Sequence, residues 1–135
     1  MNQPLHVKIG KLGEALSAAH LERHGHTIID RNYWQKCGEI DIISRLGNSV
    51  HFIEIKTVSY ETRDALERSR TSVTWQPEEN VHAAKQKRLA RAIETWLHEK
   101  SYQGDWQVDI VIVKLVPREK LAVIDIMADE ALGVQ

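Results

Sequence analysis

The chain has 135 residues and a formal net charge of −1. That is enough for one domain with a real hydrophobic core, and it excludes a whole-molecule basic field that would gather a polyanion. No apolar run approaches the roughly 18 residues of a membrane span, the first residues show no secretory pattern, and a lone cysteine, Cys37, excludes an internal disulfide. The expectation is a single cytoplasmic domain over 1–135 with no membrane partner, in which any basic surface is local.

Val7 to His24 reads as a helix, with Ile9, Leu12, Leu16 and Ala19 as one apolar stripe. Glu14 falls on a different side, near Ala18 and Leu21. Spacing alone leaves it as a solvated glutamate in the early turns of a helix. Thr27-Ile28-Ile29 is a short strand, followed by an irregular polar stretch from Arg31 to Lys36. The runs Ile40-Asp41-Ile42-Ile43 and Phe52-Ile53-Glu54-Ile55 then flank Gly47-Asn48, a hairpin-turn dipeptide. With Gly47 and Asn48 as the turn, Leu46 pairs with Ser49, Asp41 faces Glu54, and Glu39 faces Lys56. All four charged side chains share one side of the hairpin. Opposed side chains sit about 4.5–5.5 Å apart at Cβ, where like charges repel. Asp41 against Glu54 therefore calls for a cation. The plain alternative is a solvated charge cluster in which Glu39 pairs with Lys56.

Residues 59–79 are polar, lack a sustained period, and read as a long mobile loop in which Ala65 to Arg68 could form one helical turn. Arg63, Arg68, Arg70 and Trp75 within it are candidates for polyanion contact, weighed evenly against an ordinary solvated loop. Val81 to Glu99 is a second helix with Leu89, Ala92, Ile93, Trp96 and Leu97 inward. Lys85, four residues before Leu89, continues that stripe toward the sheet. Lys85, Lys87, Arg88 and Arg91 form a basic run suited to phosphate contact, although a solvated helix face is the commoner origin of such a run. Val108 to Val116 is nearly all Val and Ile, as in a strand buried on both faces, and Leu121 to Met127 is a last strand. The order α-β-β-β-α-β-β gives an α/β fold, a mixed sheet with helices packed on it.

Hard divalent cations take carboxylate oxygens and water, so Asp41 and Glu54, with Lys56 beside them, form the strongest constellation. His20, His24 and His26 have ligand-like spacing, but no aligned carboxylate or cysteine completes a site. Cys37 has no activating histidine. Asp109, inside an apolar run, is expected to be a hydrogen-bonded structural group. Gly10-Lys11-Leu12-Gly13 is neither a Walker nor a dinucleotide fingerprint.

These motifs resemble those of the YraN-like family of small bacterial proteins, within the PD-(D/E)XK nuclease superfamily. Gly10, Gly13, Glu14 and Ala15 match its G-x-x-G-E-x-x-A pattern, and Ile29 to Tyr33 its segment ending in N-Y. Gly38 to Ile43 match G-E-I-D-hydrophobic, and Phe52 to Thr57 match F-[VI]-E-[VI]-K-T. Lys85 to Leu89 and Asp109 extend the likeness over most of the chain. Gln107 departs from it, standing where the family usually has arginine. So do the long 59–79 segment and the missing proline before Asp41.

The resemblance implies a restriction-endonuclease-like αβββαβ core and, by similarity to archaeal Holliday-junction resolvases, a catalytic set of Glu14, Asp41, Glu54 and Lys56. Asp41, Glu54 and Glu14 would bind Mg²⁺ or Mn²⁺. Lys85, Lys87, Arg88, Arg63 and Arg70 are the expected nucleic-acid contacts. The expected activity is metal-dependent hydrolysis of phosphodiester bonds in DNA, branched or single-stranded forms included. The alternatives are a non-catalytic nucleic-acid-binding protein that keeps the fold and, more weakly, a protein-interaction module using the 59–79 segment. A homodimer is left open.

Overall fold

The computed structural model describes residues 3–71 and 83–130. Its elements are α1 (Leu5–Arg23), β1 (Thr27–Gln35), β2 (Gly38–Leu46), β3 (Ser49–Ser59), α2 (Arg63–Thr71), α3 (Ala83–Glu99), β4 (Asp105–Val116), a 3₁₀ turn (Pro117–Glu119) and β5 (Leu121–Met127). One five-stranded sheet runs in the order β1-β2-β3-β4-β5. Only β3 and β4 are parallel, because α2 and α3 carry the chain back between them. The fold is α/β with a mixed sheet. No helix among the described residues is long and apolar enough to cross a membrane.

The β2–β3 hairpin turns where the sequence places it. Gly47 supplies a φ of 60° that a residue with a Cβ rarely adopts, and Leu46 pairs with Ser49, then Ile43 with Phe52 and Ile42 with Ile53. β4 is an interior strand, and Val108 to Val116 are buried without a break, as the unbroken Val/Ile run requires, although β3 and not β4 is the middle strand of the sheet. One face of the sheet carries Ile42, Ile53, Ile55, Val111, Val113 and Leu115 against Ala18 and Leu21 of α1. The other packs Ile43, Phe52 and Val108 against Leu89, Ala92, Ile93 and Trp96 of α3.

Three expectations are corrected. α1 turns only part of its large-residue stripe inward: Ile9 and Leu16 pack half-buried against the α1-side core, Leu12 is 46% exposed, and the fully buried positions are Gly13, Ser17, Ala18 and Leu21. Small residues win because the helix lies directly on β3. A Cβ built on Gly13 would stand 1.9 Å from Thr57 Oγ1. Ser17 spends its hydroxyl on the Gly13 carbonyl (2.7 Å), so it is buried without loss. Next, the polar stretch 31–35 is not irregular but completes β1, pairing Tyr33 with Ile40 and Trp34 with Glu39. Its polarity reflects an edge strand whose side chains stay largely exposed.

Finally, part of the 59–79 stretch expected as a loop is helical. α2 is started by Thr62, whose Oγ1 accepts from Ala65 N (3.0 Å). It is anchored by one fully buried side chain, Leu66. A single apolar anchor leaves no periodicity to read. Residues 72–79, Trp75 among them, lie outside the described residues.

Candidate metal centre

Two glycines let two helices close on the sheet from opposite sides. Gly13 seats α1 on Thr57, which brings Glu14, the next residue, to the end of β3. Gly38 seats α3, because a Cβ there would meet the backbone oxygen of Arg88 at 2.3 Å. Between the helices opens a cavity of about 530 Å³. Glu14, Glu39, Asp41 and Glu54 line it, together with Lys56, Lys85 and Arg88.

β2 changes character at Asp41. Ile40 packs with the α3-side core, whereas Ile42, two residues on, packs with the α1-side core. Strict alternation would put both on one face, so it breaks between them. The paired register with β3 also ends at Ile42–Ile53. Where a continued ladder would proceed, the Asp41 side chain stands in: its Oδ2 accepts the amide of Ile55 (2.8 Å). Asp41 and Glu54 are thus neighbours at the point where two strands part. The companion expectation, Glu39 against Lys56, does not hold as an ion pair among the described residues. Glu39 instead turns toward Glu14. Asn32, held at a φ of 54°, brings the end of its side-chain amide 3.2 Å from both Glu39 Oε1 and Glu14 Oε1, and donates to them when the amide nitrogen is turned to that side. Asparagine is among the few residues that visit this left-handed region readily.

Glu54 is 3% exposed. Burial, and less so the nearby Glu39, raises its pKa even though Lys85 pulls the other way. Asp41 is pushed up to about 8, first by burial, then by the charge of Glu54, with Glu14 and Glu39 adding to it and the Ile55 amide opposing. Lys85 forms an ion pair with Glu54 Oε1. Burial alone would lower its pKa, but the Glu54 carboxylate raises it on balance. The lysine read as pointing toward the sheet therefore does so.

Two adjacent carboxylates, Glu54 buried and Asp41 half-buried, that draw a cation fit a hard divalent metal, since oxygen ligands and room for water are what Mg²⁺ and Mn²⁺ use. Asp41 and Glu54 are the pair brought together. Glu14 stands at the cavity wall in Asn32's grasp, and no three acidic, histidine or cysteine side chains among the described residues form a closed ligand group.

Of the expected nucleic-acid contacts, Lys85 and Arg88 line the cavity. Lys87 is exposed and outside its lining. Arg63 is engaged elsewhere, its amide donating to Glu119 Oε2 (2.7 Å) and its guanidinium 3.8 Å from Glu119 Oε1. The Arg70 side chain lies outside the described residues. The histidine cluster is not a centre of this kind. His24 Nδ1 lies 2.8 Å from the His20 carbonyl, and His26 Nδ1 bonds Ser44 Oγ (2.8 Å). Cys37 lies 4.0 Å from Thr95 Oγ1 and packs against the α3-side core. Asp109 is the structural group expected. It binds His51 Nδ1 (2.6 Å), Gln107 Nε2 (2.9 Å) and the amide of Asp129 (3.0 Å).

Sequence reasoning missed Asn32 and the lining role of Glu39. The signals were an asparagine before an aromatic residue within an edge strand, and a glutamate directly after a glycine that admits a helix.

Comparison with known proteins places the chain. Relatives named only as UPF0102 proteins include one from Moorella thermoacetica, 33% identical over 119 residues, covering 87% of this chain and 90% of the relative. One from Geobacter metallireducens is 38% identical over 95 residues, 69% and 68% of the two chains. One from Geotalea uraniireducens is 34% identical over 92 residues, 68% of this chain and 64% of that relative's length. Residues 13–113, from the glycine that seats α1 to the buried core of β4, match the sequence profile of the uncharacterised protein family UPF0102, and the chain belongs to that family.

Proposed function

We propose that the protein is a Mg²⁺- or Mn²⁺-dependent nuclease of the PD-(D/E)XK type that hydrolyses phosphodiester bonds in DNA. The observation that carries the proposal is the meeting of Asp41 and Glu54. A buried carboxylate and a half-buried one sit side by side, at the cost of their own repulsion, in a cavity that also holds Lys56 and two cations of α3. A purely structural cluster gains nothing from setting two carboxylates side by side at a cavity. The order of elements, with β4 parallel to β3 and a helix on each face, supports the restriction-endonuclease-like core.

Asp41 and Glu54 would hold the metal, with Glu14 contributing from the wall of the same cavity. A bound divalent cation supplies Lewis acidity toward the phosphoryl oxygen and lowers the pKa of a bound water. The chain's own residues do the rest. The Ile55 amide fixes Oδ2 of Asp41, and the Asp41 side chain also hydrogen-bonds Glu54. Lys56, two residues after Glu54 on the same strand, offers an ammonium to the charge that develops on the phosphoryl group. Arg88 and Lys85 receive the flanking phosphates. DNA chemistry takes place only in the cavity, so strands that enter it singly or at a branch suit it better than a straight duplex.

The test is cleavage of single-stranded, branched and duplex DNA with Mg²⁺ or Mn²⁺ by wild type, Asp41→Asn and Lys56→Gln. Activity in wild type that falls at least about a hundredfold in both variants is expected. Equal activity in wild type and Asp41→Asn, or none in wild type with any substrate, overturns the reading. One observation favours a non-catalytic nucleic-acid-binding protein instead, namely that Lys85 already neutralises Glu54. That alternative requires salt-dependent binding that survives Glu54→Gln, with no cleavage.

A further inference from the structure

Lys85 and Glu54 are unequal partners. The Glu54 side chain is 4% exposed and fixed in the middle of β3, whereas the Lys85 side chain is 45% exposed at the start of α3. Glu54 cannot leave, and a carboxylate so buried is costly without a cation. Lys85 can leave: its ammonium is a point charge on a flexible stem, with solvent on one side. The cavity as a whole lines four carboxylates against Lys56, Lys85 and Arg88. It is therefore unwelcoming to a phosphate until further positive charge arrives.

We infer that Lys85 is a displaceable counter-ion, which sets the affinity of the centre for its divalent metal and couples metal entry to phosphate capture. The inference rests on the nuclease reading for the identity of the two ligands. Metal entering at Asp41 and Glu54 takes over the charge that Lys85 supplies, so the ion pair opens as the metal binds. The freed ammonium then lies at the mouth of the cavity with Arg88, three residues on along α3, and both face an interior made more positive by the metal. Phosphate bound there holds Lys85 away from Glu54, and by linkage each ligand strengthens the other. No bond is made or broken; two cations exchange places on one carboxylate.

The test is calorimetric titration of Mn²⁺ into wild type, Lys85→Gln and Asp41→Asn, each with and without a short phosphorothioate oligonucleotide. Lys85→Gln is expected to bind Mn²⁺ about tenfold more tightly than wild type and the oligonucleotide more weakly. The oligonucleotide should tighten Mn²⁺ binding severalfold in wild type and leave it unchanged in Lys85→Gln. Lys85→Arg, which keeps the charge, should bind Mn²⁺ less tightly than Lys85→Gln and serves as the folded comparison if the glutamine variant is unstable. Equal or weaker Mn²⁺ binding in Lys85→Gln overturns the inference. If Asp41→Asn abolishes Mn²⁺ binding in that same experiment, the metal centre stands and only the role of Lys85 falls. Mn²⁺ bound alike by wild type and Asp41→Asn, or by none of the three, overturns both.

Discussion

Glu54 and Asp109 are buried acids on adjacent strands, one residue apart in register, since Ile53 pairs with Asp109 and Glu54 with Ile110. They face opposite sides of the sheet and are treated in opposite ways. Around Asp109 both oxygens are used: His51 binds one, and Gln107 and the Asp129 amide bind the other. An ionised carboxylate only accepts, so each of these groups donates to it. Around Glu54 a second carboxylate, Asp41, is brought close instead, and a half-exposed lysine is the counter-ion. Saturated hydrogen bonding in a closed core is what a structural acid needs. Under-neutralised carboxylates facing a cavity store repulsion that a ligand can relieve.

The contrast breaks first at Asp109. Replacing it with alanine strands the buried His51 imidazole and removes the acceptor of the Asp129 amide. Asp109→Ala should therefore lose about 3–5 kcal/mol of stability, read as a lower urea midpoint, while the variant that still folds binds Mn²⁺ as wild type does. An unchanged midpoint would place Asp109 in the same class as Asp41 and dissolve the contrast.

A smaller effect tests how the open side is assembled. Gly13→Ala drives a methyl group into Thr57, a short β-branched side chain with no slack. Overpacking of this kind costs about 1–3 kcal/mol. Because Glu14 follows directly, α1 should lift it from the cavity wall and weaken Mn²⁺ binding together with stability. Gly13→Ala combined with Thr57→Ala removes the obstructing atoms and should recover part of both. Recovery of stability without recovery of Mn²⁺ affinity would detach Glu14 from the centre.

The parts of this molecule that alternate or repeat were readable in the sequence. The hairpin register follows from Gly47-Asn48 and two runs of isoleucine, and α3's inward stripe, Lys85 included, follows from helical spacing. β4 declares itself by an unbroken apolar run. What could not be read depends on close approach and on single contacts. α1 buries a face of Gly, Ser and Ala, which hydrophobic spacing ranks below Ile9, Leu12 and Leu16. β1 is a strand because β2 pairs with it, whatever its polar side chains suggest. α2 rests on Leu66 and one threonine cap. At the centre, the carboxylate pair was legible from register. The break in alternation at Asp41, and with it the turning of Glu39 toward Glu14 and Asn32, was not, because it arises where β2 and β3 separate.

The gentlest effect is also the most direct measure of stored repulsion. Asp41 has its pKa raised to about 8 in the folded chain, well above the ordinary aspartate value, so the native state keeps a proton that the unfolded chain has released. Without metal, that contribution to stability is fully present below about pH 4 and is lost as pH rises through 8. Asp41→Asn cannot ionise, yet its amide oxygen still accepts from Ile55. The variant should match wild type near pH 4 and gain on it progressively as pH rises through 8, in the presence of a chelator. His26 titrates in the same range with the opposite sign, because burial and then His51 lower its pKa. It is common to both proteins and cancels in the difference. Adding Mn²⁺ at high pH should raise the thermal midpoint of wild type alone and reverse the order of the two proteins. A variant that is less stable than wild type at high pH without metal would mean that Asp41 is already as well satisfied as Asp109, and the two acids would no longer differ in kind.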